Sequence, residues 1–351
     1  MAIQWADSFS RYGTGSASTT AMRDGLPYNN WISTCVTDPD PLAVGERACL
    51  INTGLFNNPL GENRIALPSF VTGVVAICSR YWFNAFGSGN NRRCVAVFTD
   101  NTPTAIASVI VESNGAISLY NGLTGSQIDT TGSPVISTNS WNHIESTYSA
   151  VTGAMEVRLN GVTILTGTAT ASTDVYFAFP LDRIDAGSGG GMYIKDFVIW
   201  DDTGTENDNF LGSVVVRRYA PDADVTLGGW VPSTGTTGFN LLNKAAVDDA
   251  TYLSADDTPP AAMQFDIENL PDDVTSIKGV VTVVRARKID GGDATLQASL
   301  LSGVATDPGA DRPITTAFTY FYDVSELDPN TAAPWTPAAF DLVEAEIDRT
   351  T

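Results

Sequence analysis

Residues 141–161, WNHIESTYSAVTGAMEVRLNG, decide how this chain is read. Side chains two apart share a face of a strand, so Trp141, His143 and Glu145 are predicted to point one way and Asn142, Ile144 and Ser146 the other, in a strand that runs on to Tyr148. Met155, Val157 and Leu159 then share one face, with Glu156 and Arg158 on the opposite one. Asn160-Gly161 follows where a tight hairpin needs positive φ, and Val162–Thr170 is expected to return antiparallel.

Strands of the same kind extend on both sides. Val74–Phe86 alternates without losing apolar character and reads as a central strand buried on both faces. Arg93–Thr99, Ala105–Glu112 and Ile117–Tyr120 follow at turn-separated intervals, with Asn114-Gly115 and Asn121-Gly122 as turn signals. Aromatic anchors Trp5, Phe9, Tyr12, Tyr28 and Trp31 surround a Gly/Ser/Thr-rich run at Gly13–Thr20, a strand and then a loop. Val175–Phe179, the glycine loop Gly187–Gly191 and Met192–Trp200 come later. In the last of these Tyr193, Lys195, Phe197 and Ile199 are predicted to share a face. With no amphipathic helix between them, strands at this spacing indicate an antiparallel sandwich.

The W-x-H, Tyr, Gly, V-x-L-N-G order and the I-K-D-F-V-I-W-D strand resemble the concanavalin and laminin-G jelly rolls. The fold class expected is therefore all-β: a jelly-roll sandwich over residues 1–204, then a second, smaller β-rich domain over 205–351, divided at the polar DDTGTENDN. In the second domain Val214–Tyr219 and Ile277–Lys288 read as strands, the latter pairing with Ala294–Leu301 and Thr316–Tyr322. Thr336-Pro337 reads as the N-cap and first residue of a short helix, and Val343–Asp348 as a closing strand with Glu344, Glu346 and Asp348 outward.

Charge narrows the function. The chain of 351 residues carries a net charge of -21, with 15 acids and 10 bases in residues 1–200 against 25 acids and 9 bases in 201–351. So negative a shell repels phosphate backbones, which argues against nucleic acid. No apolar run is long enough to span a bilayer, so no membrane partner is expected. The start, MAIQWADSFSRYG, has neither the basic nor the apolar stretch of a secretory leader.

No reaction centre is legible. A retaining glycosidase needs two carboxyl groups about 5 Å apart, and the clearest same-face pair, Glu344 and Glu346, lies in the second domain. Glu145, Glu156 and Asp196 are isolated acids in the first. The single histidine, His143, has no G-x-S-x-G partner and reads as structural; Gly187–Gly191 precedes a strand where a phosphate loop precedes a helix. Asp201, Asp202, Glu206 and Asp208 do not match a calcium loop. No catalytic residue, cofactor or metal site is assigned. Trp82 or Tyr120 beside loop asparagines could serve as a sugar platform, and Arg285, Arg287 and Lys288 are expected to meet carboxylates in the same chain or a partner subunit.

A longer set of motifs, D-S-F-S-R-Y-G-T at Asp7–Thr14, Y-I-K-D-F-V-I-W-D-D-T-G, N-D-N-F-L-G-S-V-V-V at Asn207–Val216, A-x-x-D-D-A-T-Y-L-S at Ala245–Ser254, V-R-A-R-K at Val284–Lys288 and D-P-N-T-A-A-P-W-T at Asp328–Thr336, resembles tailed-bacteriophage virion proteins of a two-domain type. The resemblance implies a non-enzymatic, peripheral tail or head-decorating component of the virion, made in the bacterial host cytoplasm. Its implied partners are other tail or capsid proteins, further copies of itself with a trimer favoured, and a host-surface glycan. The alternative is a carbohydrate-binding, lectin-like module, with a glycoside hydrolase third. Cytoplasmic assembly favours reduced thiols at Cys35, Cys49, Cys78 and Cys94, and Cys78 and Cys94 lie in apolar strands as small hydrophobes.

Overall fold

The computed structural model describes residues 3–9, 35–39, 47–51, 73–84, 86, 92–102, 104–178, 180, 184, 191–244, 248–256 and 260–351. The predicted anchors Tyr12, Tyr28 and Trp31, the Gly13–Thr20 run, residues 187–190 of the glycine loop and residues 245–247 lie outside them. The chain forms two compact units, residues 2–217 and 218–351, so residues 205–217 go with the first unit and the division falls later than Gly204.

The first unit is an antiparallel jelly-roll sandwich whose described residues form thirteen strands: β1 (Ile3–Asp7), β2 (Cys35–Pro39), β3 (Arg47–Ile51), β4 (Val74–Phe83), β5 (Arg93–Thr99), β6 (Ala105–Val111), β7 (Ile117–Asn121), β8 (Gln127–Thr130), β9 (Trp141–Ser149), β10 (Ala154–Leu159), β11 (Val162–Thr168), β12 (Tyr176–Ala178) and β13 (Met192–Asp201). The large sheet runs β11-β10-β9-β4-β13-β3-β2 with β1 also on β13, and the small sheet runs β12-β5-β6-β7-β8. Between them the Phe98 ring stacks on Tyr148 at 5.2 Å and meets Phe177 at 5.4 Å. The Tyr81 hydroxyl donates across the sandwich to the Val95 carbonyl at 2.6 Å, satisfying a polar tip inside an apolar layer.

The hairpin that opened the reading is as expected. Asn160 and Gly161 have φ of 50° and 83°, the two positive angles of a type I′ turn. Asn160 also returns to β9, its amide donating to the His143 carbonyl at 2.8 Å and its Oδ1 accepting the His143 amide at 3.0 Å.

In β13 the expected alternation fails. Tyr193 and Lys195 pair with Trp82 and Arg80, but the register then shifts, and Val198 and Trp200 pair with Cys78 and Ala76. The extra residue is absorbed at Asp196, which adopts a φ of 55°, so this is a β-bulge that flips the parity of everything after it. Phe197 and Ile199 therefore do not share the face of Tyr193 and Lys195. The thiol expectation also needs correction: Cys49 is disulfide-bonded, whereas Cys78 and Cys94 are free and buried.

The second unit contains β14 (Pro221–Thr226), β15 (Val231–Pro232), α1 (Phe239–Leu242), β16 (Leu253–Ser254), β17 (Met263–Ile267), β18 (Val280–Ala286), β19 (Thr295–Ser302), β20 (Ala305–Pro308), β21 (Arg312–Pro313), β22 (Thr319–Ser325), β23 (Leu327–Asp328), β24 (Ala333–Pro334), α2 (Pro337–Phe340) and β25 (Val343–Arg349). Its main sheet runs β14-β17-β25-β19-β20, with β21 on β19. Trp230, Met263, Phe265, Leu296 and Ile347 form its core. Thr336 caps α2 as predicted, its Oγ1 accepting the Ala339 amide at 3.2 Å ahead of Pro337.

Two pairings differ from expectation. β19 does not pair with β18; it pairs with β25, which lies at the centre of the main sheet, while β18 pairs with β22 alone. Val214–Tyr219 joins no ladder and forms no regular element.

Candidate functional site

The outward face of the large sheet carries its polar side chains in rows. Pairing across β4, β9, β10 and β11 aligns Arg80 with His143, Cys78 with Glu145, Arg158 and Thr163, and Ala76 with Thr147, Glu156 and Thr166. Trp141 and Trp82 stand opposite each other at one end, their rings 5.9 Å apart. Alternation placed Trp141, His143 and Glu145 on one face, and the register bears this out.

Part of this face is closed by the chain itself. After β13 the segment 209–217, here called the strap, is tied to buried groups of the sheet. The Gly212 amide donates to Glu145 Oε1 at 3.0 Å, and the Val216 amide to Asp196 Oδ1 at 2.9 Å. Arg80 forms an ion pair with Asp196 at 3.4 Å and donates to Ser213 Oγ at 3.3 Å. The Arg158 guanidinium stacks on Phe210 at 3.5 Å. A carboxylate that receives backbone amides is a strong acceptor, so the strap is fixed by charge-assisted bonds at two points.

Beneath it lie groups in unusual electrostatic states. His143 is 3% exposed and neither ring nitrogen has a hydrogen-bond partner; burial first, and the nearby Arg80 second, pull its pKa down to about 4. Glu145 is fully buried, and its Oε2 accepts no bond. Burial pushes its pKa up, opposed by the Gly212 and Leu211 amides and by Arg158. Desolvation disfavours the charged form in both cases.

Beyond the strap the same face is open. Thr147, Ser149, Glu156, Thr166 and Thr168 line a shallow groove of about 460 Å³ across β9, β10 and β11. Burial pushes the Glu156 carboxyl up, but hydrogen bonds from Thr163 and Arg158 outweigh it and hold the group below its ordinary range. Both bonds fall on Oε1, from Arg158 Nε at 2.9 Å and Thr163 Oγ1 at 2.6 Å. Oε2 is left to accept from a ligand, with the Thr166 and Thr168 hydroxyls exposed beside it. The groove therefore offers an ionised acceptor and a line of hydroxyls next to an arginine held flat by Phe210. Glu145 faces the strap and not this opening.

The predicted aromatic platforms are not open. Trp82 is 5% and Tyr120 8% exposed. The Trp82 indole donates to Asn84 at 2.8 Å. Tyr120 packs with Cys94, Val97 and Ile110, and its hydroxyl donates to Glu112 at 2.9 Å. The half-buried ring nearest the groove's charged pair is Phe210, which sequence reading missed because it was placed past the domain boundary, at the opening of the second domain.

Other predicted positions have local tasks. Asp201 Oδ1 accepts the Thr203 amide and hydroxyl, and its Oδ2 accepts Gln4 Nε2 at 3.1 Å. Among the described residues no three His, Cys, Asp or Glu side chains are gathered to hold a metal ion, and Asp202, Glu206 and Asp208 do not converge with Asp201. Glu346 accepts from Gln264 at 2.7 Å on the central strand β25, two residues from Glu344. Arg285 meets a carboxylate of its own chain, Asp249, through two bonds of 2.9 and 2.8 Å.

No protein-family model matches this sequence, and no curated protein matches it. Among solved structures, domain 4 of the extracellular arabinanase AbnA from Geobacillus stearothermophilus, in complex with arabinotriose, has a TM-score of 0.34 and 18% identity, over 50% of this chain and 80% of that one. The galectin LEC-6 from Caenorhabditis elegans gives 0.28 and 11%, over 37% and 84%. The carbohydrate-binding module CBM66 from Bacillus subtilis gives 0.27 and 11%, over 51% and 92%. These values are too low to carry a functional argument, so the reading below rests on the groove.

Proposed function

We propose that the first unit is a lectin-like, non-catalytic glycan-binding module whose ligand lies in the groove on β9, β10 and β11. The observation that carries this is the free Oε2 of Glu156 among exposed hydroxyls. An ionised carboxylate accepts from paired sugar hydroxyls, threonines can donate or accept as the ligand requires, and Phe210 offers an apolar surface beside them. Binding without turnover is favoured because the other acids on this face, Glu145 and Asp196, are buried and receive the Gly212 and Val216 amides of the strap.

The expected outcome is measurable heat on titrating neutral oligosaccharides into the full chain. Glu156→Gln should weaken binding about 10- to 100-fold, the worth of a hydrogen bond to a charged group, with only a small fall in the thermal transition from the lost, half-exposed Arg158 pair. A broad panel without binding, or affinity untouched by Glu156→Gln, would sink the reading.

The setting we propose is the surface of a tailed-phage particle, with other virion proteins as partners. It rests on the resemblance of the ordered motifs between Asp7 and Thr336 to such proteins. Mass spectrometry of purified particles that finds no copy of the chain would refute this setting and leave the groove reading standing.

A further inference from the structure

In the second unit, β18 and β22 form a two-stranded ribbon in which Arg285 pairs directly with Tyr320. One step further along the same face, Arg287 lies opposite Phe318. The Arg285 guanidinium sits 4.9 Å from the Tyr320 ring centre and 4.7 Å from that of Phe318, while Arg287 sits 4.4 Å from Phe318. Two cations on one ring repel each other. Asp249 neutralises Arg285 through its two-pronged bond, so the uncompensated charge is that of Arg287.

Arg287 is exposed, and among the described residues Phe318 is its only partner. That is unexpected in residues 201–351, where 25 acids outnumber 9 bases; Arg312, for example, is paired with Asp323 at 2.7 Å. A guanidinium held flat on a ring has lost little freedom still to lose, and its fork fits a planar carboxylate. Two residues on, Ile289 is 90% exposed, adding an apolar contact to the same projection.

We infer that the Arg287–Phe318–Ile289 projection docks on the acidic surface of a second copy of this chain. Charge complementarity selects that occupant: the carboxylates the site fits are abundant on the same unit and present at the chain's own concentration. Remote repulsion between negatively charged copies is screened beyond about 8 Å at physiological salt, whereas a close, partly desolvated ion pair is screened much less.

Sedimentation of the full chain tests this. The wild-type protein is expected to form a concentration-dependent oligomer. Arg287→Glu should weaken its association at least about 30-fold, the lower range for a buried interfacial charge pair, and Arg287→Lys should weaken it less, the charge being kept and the fork lost. Circular dichroism of both variants checks that they fold. A wild-type chain that stays monomeric at every soluble concentration overturns the proposal, as does an oligomer indifferent to both substitutions. If the monomer instead binds polygalacturonate in an Arg287-dependent way, the site takes its carboxylate from a polysaccharide and the second-copy assignment is wrong. These outcomes do not depend on Glu156, so they separate from failure of the glycan reading.

Discussion

Acidification from pH 7 to 4 is expected to cost the protein about 3 kcal/mol through His143 alone, as the interval between the ordinary value of 6.5 and about 4 implies. The folded state binds fewer protons than the unfolded chain in that interval, so this stability is complete above pH 6.5 and is lost as pH falls toward 4. Arg80 lies across from His143 on β4, Glu145 two residues along β9, and Asn160 on the turn after β10. None of them gives the imidazolium a hydrogen bond to its ring. Glu145 acts in the opposite sense. Its folded pKa is raised, so its contribution is present below the ordinary carboxylate value and disappears as pH rises through the folded one. His143→Asn should therefore flatten the decline, and Glu145→Gln, which keeps an acceptor for Gly212, should steepen it. Carboxyls held low, such as Glu156 and Asp328, weaken every variant alike in acid and cancel in the comparison. Denaturant titrations at pH 4, 5, 6 and 7 measure the slopes; identical slopes for wild type and His143→Asn would show that the imidazole is solvated.

Much of the first unit was legible because its signals are local. Period-two alternation placed Trp141, His143 and Glu145 on one face, and Asn160-Gly161 announced the turn through its demand for positive φ. The misreadings share a different cause. The bulge at Asp196 leaves no mark in Y-I-K-D-F-V-I-W, where alternation continues on paper while the backbone takes in one extra residue. The partner of β19 could not be read either: β18, VVTVVRA, is the more apolar strand and the nearer in sequence, yet β25, VEAEIDR, takes the place beside β19, because long-range pairing is decided by the core built around Met263, Phe265, Leu296 and Ile347. The candidate site was legible only in part. Glu156 and Arg158 were noted, but their neighbour Phe210 comes from a segment that forms no ladder, and only the fold shows that it lies on them. Trp82 and Tyr120 illustrate the converse: aromatic residues suited to a sugar are covered by packing, Trp82 beside Trp141 on the outward face and Tyr120 against Cys94, Val97 and Ile110.

Asp196→Val is expected to remove about 3 kcal/mol or more of stability and to release the strap. A β-branched residue at a φ of 55° is strained by roughly 1–3 kcal/mol. Losing the acceptor of the Val216 amide and the partner of Arg80 removes a charge-assisted bond worth about 1.5–3 kcal/mol; because both effects act at one residue they need not add. Asp196→Gly separates them, since glycine accepts the backbone angle and loses only the carboxylate. Cys78 reports on the strap. It shares the outward face with Glu145 and is 1% exposed, while Cys94 is 0% exposed on the other sheet. If the strap is held by Asp196, a thiol reagent will modify Cys78 faster in Asp196→Gly than in wild type and leave Cys94 unreacted. Equal acceleration at both thiols would mean that the sandwich opens as a whole, and an unchanged rate at Cys78 would mean that Glu145 and the Phe210–Arg158 stack hold the strap without Asp196. In either case the left-handed backbone at residue 196 would have to be explained by the bulge geometry alone.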